Sequence, residues 1–208
     1  KGKYLFNGSY RRDGSSAFSY TGNQWQNFYS VGAGWLISEE EFMKDISWLD
    51  MLKLKGSWGT LGNQNLSSAY PAEPLLKNAF SAVFGKPSII YPGYQLAYLP
   101  NPDLRWEKVE AWEVGFETNL LRNRLHFEGV FYKKNTKDLL AEVPGIAGTI
   151  PGIGNLGEIR NSGVELAATW RDQIGDWGYS ISANLTTISN KVKSLVQEGY
   201  SIIAGDKN

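Results

Sequence analysis

Three groups of residues are of types that could carry chemistry: a pair of carboxylates, a histidine and a glycine-rich motif. Glu117 and Glu128 flank a short turn and could bind a cation or act as an acid and base pair, for which the carboxylates of glycosidases are roughly 5–9.5 Å apart. His126 is the single histidine and cysteine is absent, so no cysteine or second histidine can join it as a zinc ligand. Residues 152–157 read G-x-G-x-x-G, but without the strand, turn and helix of a dinucleotide site.

No nucleophile or oxyanion-stabilising set accompanies these carboxylates. We therefore predict that the chain is not an enzyme, with no catalytic residue, no bound metal and no cofactor. Glu117, Glu128 and His126 are interpreted as solvated polar side chains. The 21 basic and 21 acidic residues balance, which gives no indication of a nucleic-acid partner.

The elements that would position these residues are β-strands. Alternating apolar and polar residues predict seven of them, at 3–11, 26–37, 51–60, 106–120, 124–136, 161–171 and 177–188. In each segment one parity is apolar over four successive positions, for example Trp112, Val114, Phe116 and Thr118. The chain lacks the roughly 20-residue apolar run that a membrane helix needs, whereas a barrel strand needs about 9–11 residues.

The opposite parity is polar. We predict that it faces a water-filled lumen, and six of its charged residues are predicted to line that lumen: Lys53, Lys55, Glu113, Glu117, Glu128 and Glu165. Aromatic residues near the strand ends, Tyr10, Trp35, Trp58, Trp112 and Trp170, are typical of the girdles of membrane barrels. Tight linkers at 121–123 and 172–176 contrast with long linkers at 61–105 and 137–160, as short turns and long loops do in such barrels.

Turn positions predict the registers. A turn at Arg122-Asn123 places Phe116 opposite Gly129 and Glu117 opposite Glu128, and a turn over 173–176 places Trp170 opposite Tyr179. The moderate linker 38–50 is predicted to hold one helical turn, with Ser38 and Glu41 forming a capping box.

The linker 61–105 contains six of the eight prolines and many aromatic residues. So long a connection is usually functional or disordered. Five aromatic residues in it are candidates for contact with a substrate or a partner, and packing of the loop on itself is the alternative: Tyr70, Phe84, Tyr91, Tyr94 and Tyr98.

Six motifs, in order, resemble those of SusC/RagA-type TonB-dependent outer-membrane transporters. They are YRRDGSS at 10–16, VGAGWLISEE at 31–40, LKLKGSWGTLGNQ at 52–64, NPDLRWE at 101–107, YKKNTKDLL at 132–140 and NLGEIRNSGVEL at 155–166. The resemblance implies an antiparallel transmembrane β-barrel of 22 strands with long extracellular loops. Residues 1–208 are expected to be part of its C-terminal barrel portion, with the plug domain and the closing strand absent.

The same resemblance implies location in the cell outer membrane and import of glycans, oligosaccharides or peptides. It implies partners as well: a SusD-like lipoprotein lid, TonB acting through other parts of the protein, and outer-membrane lipid. The alternative is a soluble all-β carbohydrate-binding sandwich, in which the apolar parity of the strands is a buried core.

Overall fold

A computed structural model describes residues 2–64, 66, 70–98, 100–143 and 152–195. Eleven strands occur in this part of the chain: β1 (Tyr4–Gly14), β2 (Trp25–Leu36), β3 (Leu49–Asn63), β4 (Leu76–Phe84), β5 (Ile89–Leu96), β6 (Glu107–Leu120), β7 (Leu125–Lys137), β8 (Leu140–Val143), β9 (Gly152–Asn155), β10 (Gly157–Ile174) and β11 (Trp177–Leu195). Three 3₁₀ turns accompany them, at Ser16–Phe18, Ile37–Glu39 and Glu41–Met43. No helix in the described residues is long and apolar enough to cross a membrane.

The seven predicted strands form one antiparallel sheet, in the order β1-β2-β3-β6-β7-β10-β11. Every pair in this sheet is antiparallel, and the neighbours follow one another along the chain except for the two hairpins inserted in loops. The prediction of seven antiparallel strands is confirmed. Four of them, β1, β3, β10 and β11, are longer than the predicted segments. The stretch 196–208, where the expected absence of a closing strand falls, lies outside the described residues.

Pairing across the sheet places all the apolar parities on one face. Phe6 pairs with Ala33, Gly56 with Val114, and Val114 with Phe131, so these residues form a continuous row. We call this surface the apolar face and its reverse the polar face. Val114 is 63 % exposed and Phe131 is 51 % exposed, so nothing in the described part of the chain covers the apolar face. The soluble sandwich is therefore not favoured, because it requires this face to be a buried core.

The two ends of the sheet differ. One end, the loop side, carries the connections 15–24, 64–106 and 138–156, whereas the other, the turn side, carries 37–48 and the two tight turns. Trp58 and Trp112 lie at the loop-side limit of the apolar face with ring centroids 6.0 Å apart. Tyr4 and Trp35 lie at its turn-side limit, 6.4 Å apart. The aromatic residues therefore border the apolar face at both ends.

The register predicted for β6 and β7 is confirmed, with Phe116 opposite Gly129 and Glu117 opposite Glu128. Arg122 and Asn123 both have φ near +60°, and the Arg124 amide donates to the Leu121 carbonyl at 3.4 Å, as in a type I′ turn. The register predicted for β10 and β11 was wrong by two residues, since Trp170 pairs with Ile181 instead of Tyr179. Gly175 adopts φ +61°, which permits a two-residue turn in place of four, and a shift of two leaves every side chain on its face.

The two long loops contain structure that the alternation did not predict. Strands β4 and β5 form a separate hairpin within the 61–105 linker, and β8 and β9 form another within 137–160. The segment Gly152–Asn155, which includes part of the G-x-G-x-x-G motif, is strand β9 and pairs with β8. Trp106, predicted to begin a strand, precedes β6 and is buried.

Candidate functional site

The polar face brings together the six charged residues that the sequence predicted. Register places Lys53 opposite Glu117, Glu117 opposite Glu128, and Lys55, Glu113 and Glu165 on the same face. Lys53 Nζ lies 3.9 Å from a Glu117 oxygen, and Lys55 Nζ lies 3.9 Å from a Glu128 oxygen. Each carboxylate of the Glu117–Glu128 pair thus has its own lysine partner on β3.

This arrangement explains how two facing carboxylates are tolerated in one hairpin. Like charges directly opposite each other destabilise a sheet, and a cation on the next strand offsets the repulsion. His126 Nδ1 lies 2.7 Å from Asn119 Oδ1 on the same face. Among the described residues, no group of three or more His, Cys, Asp or Glu residues could hold a metal ion. Four of the six charged residues thus form two ion pairs along the sheet, Lys53–Glu117 and Lys55–Glu128.

A cleft of about 430 Å³ opens over this face. Lys53, Lys55 and Glu113 line it, and its hollow shape follows from Gly32, Gly34 and Gly115, which have no side chain to fill it. A Cβ on Gly115 would lie 2.6 Å from the Gly129 carbonyl oxygen, so a larger residue cannot be placed there without moving backbone. The polar face is therefore hollowed into a trough, with Lys53, Lys55 and Glu113 among the residues that line it.

On the loop side, connections that are distant in sequence share one small hydrophobic core. Its buried residues come from the 15–24 loop, from β2 and from the long 64–106 connection: Phe18, Phe28, Ala72, Leu104 and Trp106. The Trp106 ring lies 5.3 Å from that of Phe18 and 6.1 Å from that of Phe28. Trp106 Nε1 donates to the Asn23 carbonyl at 3.0 Å, which fixes the first loop against the second.

A polar clasp fixes the third loop to the second. Arg105 donates to Asp138 Oδ1 at 2.6 Å, and the Asn155 amide nitrogen donates to the carbonyls of Arg105 and Asp138, each at 2.8 Å. The Arg105 amide donates to Asn155 Oδ1 at 3.0 Å. The hydrogen bond with Asp138 raises the pKa of the Arg105 guanidinium above its ordinary value. Loops 64–106 and 138–156 are thus held together by residues at their bases.

The five predicted contact aromatics do not form one cluster. Phe84 and Tyr91 lie on one face of the β4–β5 hairpin with ring centroids 6.0 Å apart, whereas Tyr94 lies on the reverse face. Tyr98 follows the hairpin and donates to the Tyr70 carbonyl at 2.6 Å. Phe84 is 63 % exposed and Tyr94 is 59 % exposed, so both faces of the hairpin present aromatic surface.

On the turn side, Glu40 connects two strands and a linker. Tyr4 Oη donates to Glu40 at 2.8 Å, and Trp35 Nε1 and Lys3 Nζ donate at 3.1 Å each. These hydrogen bonds, that of Tyr4 first, hold the pKa of the Glu40 carboxyl below its ordinary value. The predicted Ser38 capping box was wrong: Ser38 lies inside the 3₁₀ turn Ile37–Glu39, and the linker holds two such turns in place of one helical turn.

Sequence reasoning missed the loop core, the Arg105–Asp138–Asn155 clasp and the role of Glu40. Trp106 was the one residue that the sequence could have indicated. It precedes the alternating segment of β6, so its side chain need not lie on either face of that strand. The partners of these residues come from segments up to 83 positions apart, as the hydrogen bond between Trp106 and Asn23 shows. Neither periodicity nor local motifs report such contacts.

A two-faced antiparallel sheet with aromatic borders, short turns at one end and packed loops at the other defines a sector of a membrane β-barrel wall. The family model described as TonB dependent receptor-like, beta-barrel matches residues 1–206. The chain belongs to this family.

Individual relatives narrow the resemblance. TonB-dependent receptor SusC of Bacteroides thetaiotaomicron is 33 % identical over 99 % of the chain, and TonB-dependent receptor P39 of Formosa agariphila is 32 % identical over 99 %. The solved structure of the RagAB peptide importer in its closed–closed state covers 94 % of the chain with a TM-score of 0.77 at 28 % identity. The resemblance to SusC/RagA-type proteins is confirmed. The chain spans about a fifth of the length of these relatives, 21 % of SusC and 20 % of P39.

Proposed function

We propose that the chain forms a sector of the barrel wall, together with part of the extracellular mouth, of an outer-membrane TonB-dependent transporter. The observation that carries this proposal is the separation of the two faces of one sheet. The apolar face, exposed at Val114 and Phe131, meets lipid, and the polar face with its Lys53–Glu117 and Lys55–Glu128 pairs lines a wet lumen. The sector supplies wall and loops, and the TonB-driven step belongs to other parts of the protein.

Neighbouring residues on β6 offer a direct test of the faces. In the complete protein that contains this chain, reconstituted in lipid vesicles, Val114→Cys and Glu113→Cys each carry a nitroxide spin label. The label at 114 should collide mainly with oxygen, which is concentrated in lipid, and the label at 113 mainly with a water-soluble nickel chelate. If both labels collide mainly with the nickel chelate, the wall assignment is wrong.

We propose that the loops bind cargo and a lipoprotein lid of the SusD type. The joint core under Trp106 and the clasp at Asn155 make the three loops a preorganised platform. On it, Phe84, Tyr91 and Tyr94 present exposed rings that can stack on sugars or on peptide side chains. Tyr70 and Tyr98 at the hairpin base orient it relative to the platform.

The cargo is a glycan, an oligosaccharide or a peptide. One solved structural relative is described as a peptide importer, so peptides come first among these classes. Uptake by cells that carry or lack the complete gene distinguishes them, with a labelled peptide pool and a labelled oligosaccharide pool as separate substrates. Loss of uptake of one pool on deletion identifies the class, and unchanged uptake of both contradicts the proposal of import.

Phe84→Ala with Tyr91→Ala tests the hairpin, and Phe42→Ala is the control, because Phe42 is also an exposed aromatic residue but lies on the turn side. Uptake or lid co-purification should fall in the hairpin variant and stay unchanged in the control. Equal behaviour of both variants would remove the hairpin from the contact surface.

A further inference from the structure

The apolar face carries an unexpected group of cations at its loop-side end. Lys133 on β7, Arg160 on β10 and Lys191 on β11 have the same parity as Phe131, Val164 and Leu185 on their own strands, with no register shift between them. Arg160 pairs directly with Lys191, and Lys133 is opposite Ser162, one diagonal step from Arg160. We call Lys133, Arg160 and Lys191 the basic patch.

The described residues supply no ion-pair partner to the three charges of the basic patch. Nearby Lys137 is paired with Glu110 at 3.3 Å, but within the described part of the chain no carboxylate lies within 4.0 Å of a basic-patch nitrogen. Arg160 Nε donates to Asn135 Oδ1 at 2.8 Å, which fixes the guanidinium beside the two lysines. The planar guanidinium and the lysine ammonium groups complement phosphate oxygens.

The basic patch is one part of a loop-side border that carries other charges. At its level, β2 and β3 present the uncharged Val31, Trp58 and Thr60, and β6 presents Glu110, which is paired with Lys137 at 3.3 Å. One step farther toward the loops, the same face carries Arg12 on β1 and Lys108 on β6. On the turn side, Arg124 in the turn before β7 is paired with Asp172 at 3.3 Å. The basic patch differs in its arrangement, because Arg160 and Lys191 stand directly opposite each other and no ion pair within the described residues joins any of its three cations.

The surroundings of the basic patch change in layers along the strands, from apolar to polar to charged, as the parts of an amphiphilic lipid do. Phe131 and Val164 form an exposed apolar layer, Ser162 and Ser189 next to them supply hydroxyl groups, and Arg160 and Lys191 form the outermost layer. Successive layers are two residues apart, or about 7 Å along a strand. A phosphorylated glycolipid likewise presents acyl chains toward the membrane interior, and sugar hydroxyls and phosphate toward its surface.

We propose that the basic patch binds the phosphorylated headgroup of an outer-leaflet glycolipid, whose acyl chains lie on Phe131 and Val164. The inference rests on the proposed function, since it requires the apolar face to meet lipid. It adds a lipid site on the outside of the wall, distinct from the trough on the polar face and from the loop platform.

The test uses the complete protein in detergent, titrated with bis-phosphorylated lipid A and followed by native mass spectrometry. The triple variant Lys133→Gln, Arg160→Gln, Lys191→Gln removes the basic patch. One basic side chain near an anionic lipid surface increases binding affinity roughly fivefold, so the triple variant should bind lipid A about a hundredfold more weakly. The control triple Lys55→Gln, Lys134→Gln, Arg171→Gln lies on the polar face and should remain within about twofold of the parent protein.

Two further arms identify the ligand chemistry. Dephosphorylated lipid A should bind the parent protein and the basic-patch variant equally, whereas displacement of lipid A by inorganic phosphate would indicate a free-anion site and overturn the lipid assignment. If the triple variant fails to fold, Lys191→Gln alone, at an exposed position, should weaken lipid A binding about fivefold. Equal binding of lipid A by the parent and the variants overturns the proposal, and the spin-label contrast between 113 and 114 then shows separately whether the wall assignment stands.

Discussion

A charge placed at the centre of the apolar face measures whether that face meets lipid, and Phe116 is the position for it. Phe116 lies four residues from Trp112 at the loop-side border and four from Leu120 at the end of β6. Each interval is about 14 Å along the strand, or about 10 Å across the membrane at a tilt near 45°. Phe116 is therefore at mid-depth of an apolar band about 20 Å tall.

The magnitude for Phe116→Arg has two parts. An arginine on the lipid face at mid-depth costs about 2–4 kcal/mol. Loss of the ring contact with Phe127, whose centroid is 5.3 Å away, adds about 1 kcal/mol. We expect Phe116→Arg to lower the free energy of unfolding of the complete protein by about 3–5 kcal/mol, from the sum of these terms.

Two controls separate the terms. Phe116→Leu removes the ring contact without adding charge and should cost about 1 kcal/mol. Glu117→Gln, on the polar face one residue away, removes a 3.9 Å ion pair with Lys53 between partly exposed side chains and should cost under about 1 kcal/mol. The assay is reversible folding into lipid vesicles over a guanidinium series, read by heat-modifiable gel mobility. If Phe116→Arg and Phe116→Leu differ by less than about 1 kcal/mol, the face does not meet lipid.

Three other predictions concern the loops and turns. Trp106→Ala should destabilise the loop core by about 3–5 kcal/mol, so limited proteolysis should cut the 15–24 loop while the barrel keeps its heat-modifiable mobility. Glu40→Gln should lower Tm at neutral pH. The pKa of Glu40 is lowered in the folded protein, so its contribution to stability is complete above the ordinary pKa of 4.5 and is lost as the pH falls below that value. The Tm difference between Glu40→Gln and the parent should therefore vanish in acid. A difference that persists in acid would contradict the role assigned to Glu40. Arg122→Gly should raise the free energy of unfolding by about 0.5–1 kcal/mol, since a non-glycine residue at φ +59° is strained, and Arg124→Gly, which loses the Asp172 ion pair, should not.

The sequence by itself determined the seven wall strands, which face of each is apolar, and the family. Alternation has a period of two wherever one side of a strand meets an apolar phase and the other meets water, so a run such as 112–118 carries both the strand and its orientation. The Arg122-Asn123 turn also determined the register of β6 and β7, because a two-residue turn allows one pairing of the two strands.

Tertiary structure decided what depends on distant contacts. Hairpin β4–β5 lacks one uniformly buried face, so its residues show no clean alternation, and β8 and β9 are only four residues long. The loop core joins Phe18, Phe28, Ala72 and Leu104, which no local pattern relates. The β10–β11 register depended on the positive φ of Gly175, and Glu40 acquired its three donors from two strands and the residue before them. Periodicity in the sequence indicates whether a side chain faces an apolar or an aqueous environment. Which residue it contacts there is decided by how the strands and loops pack together.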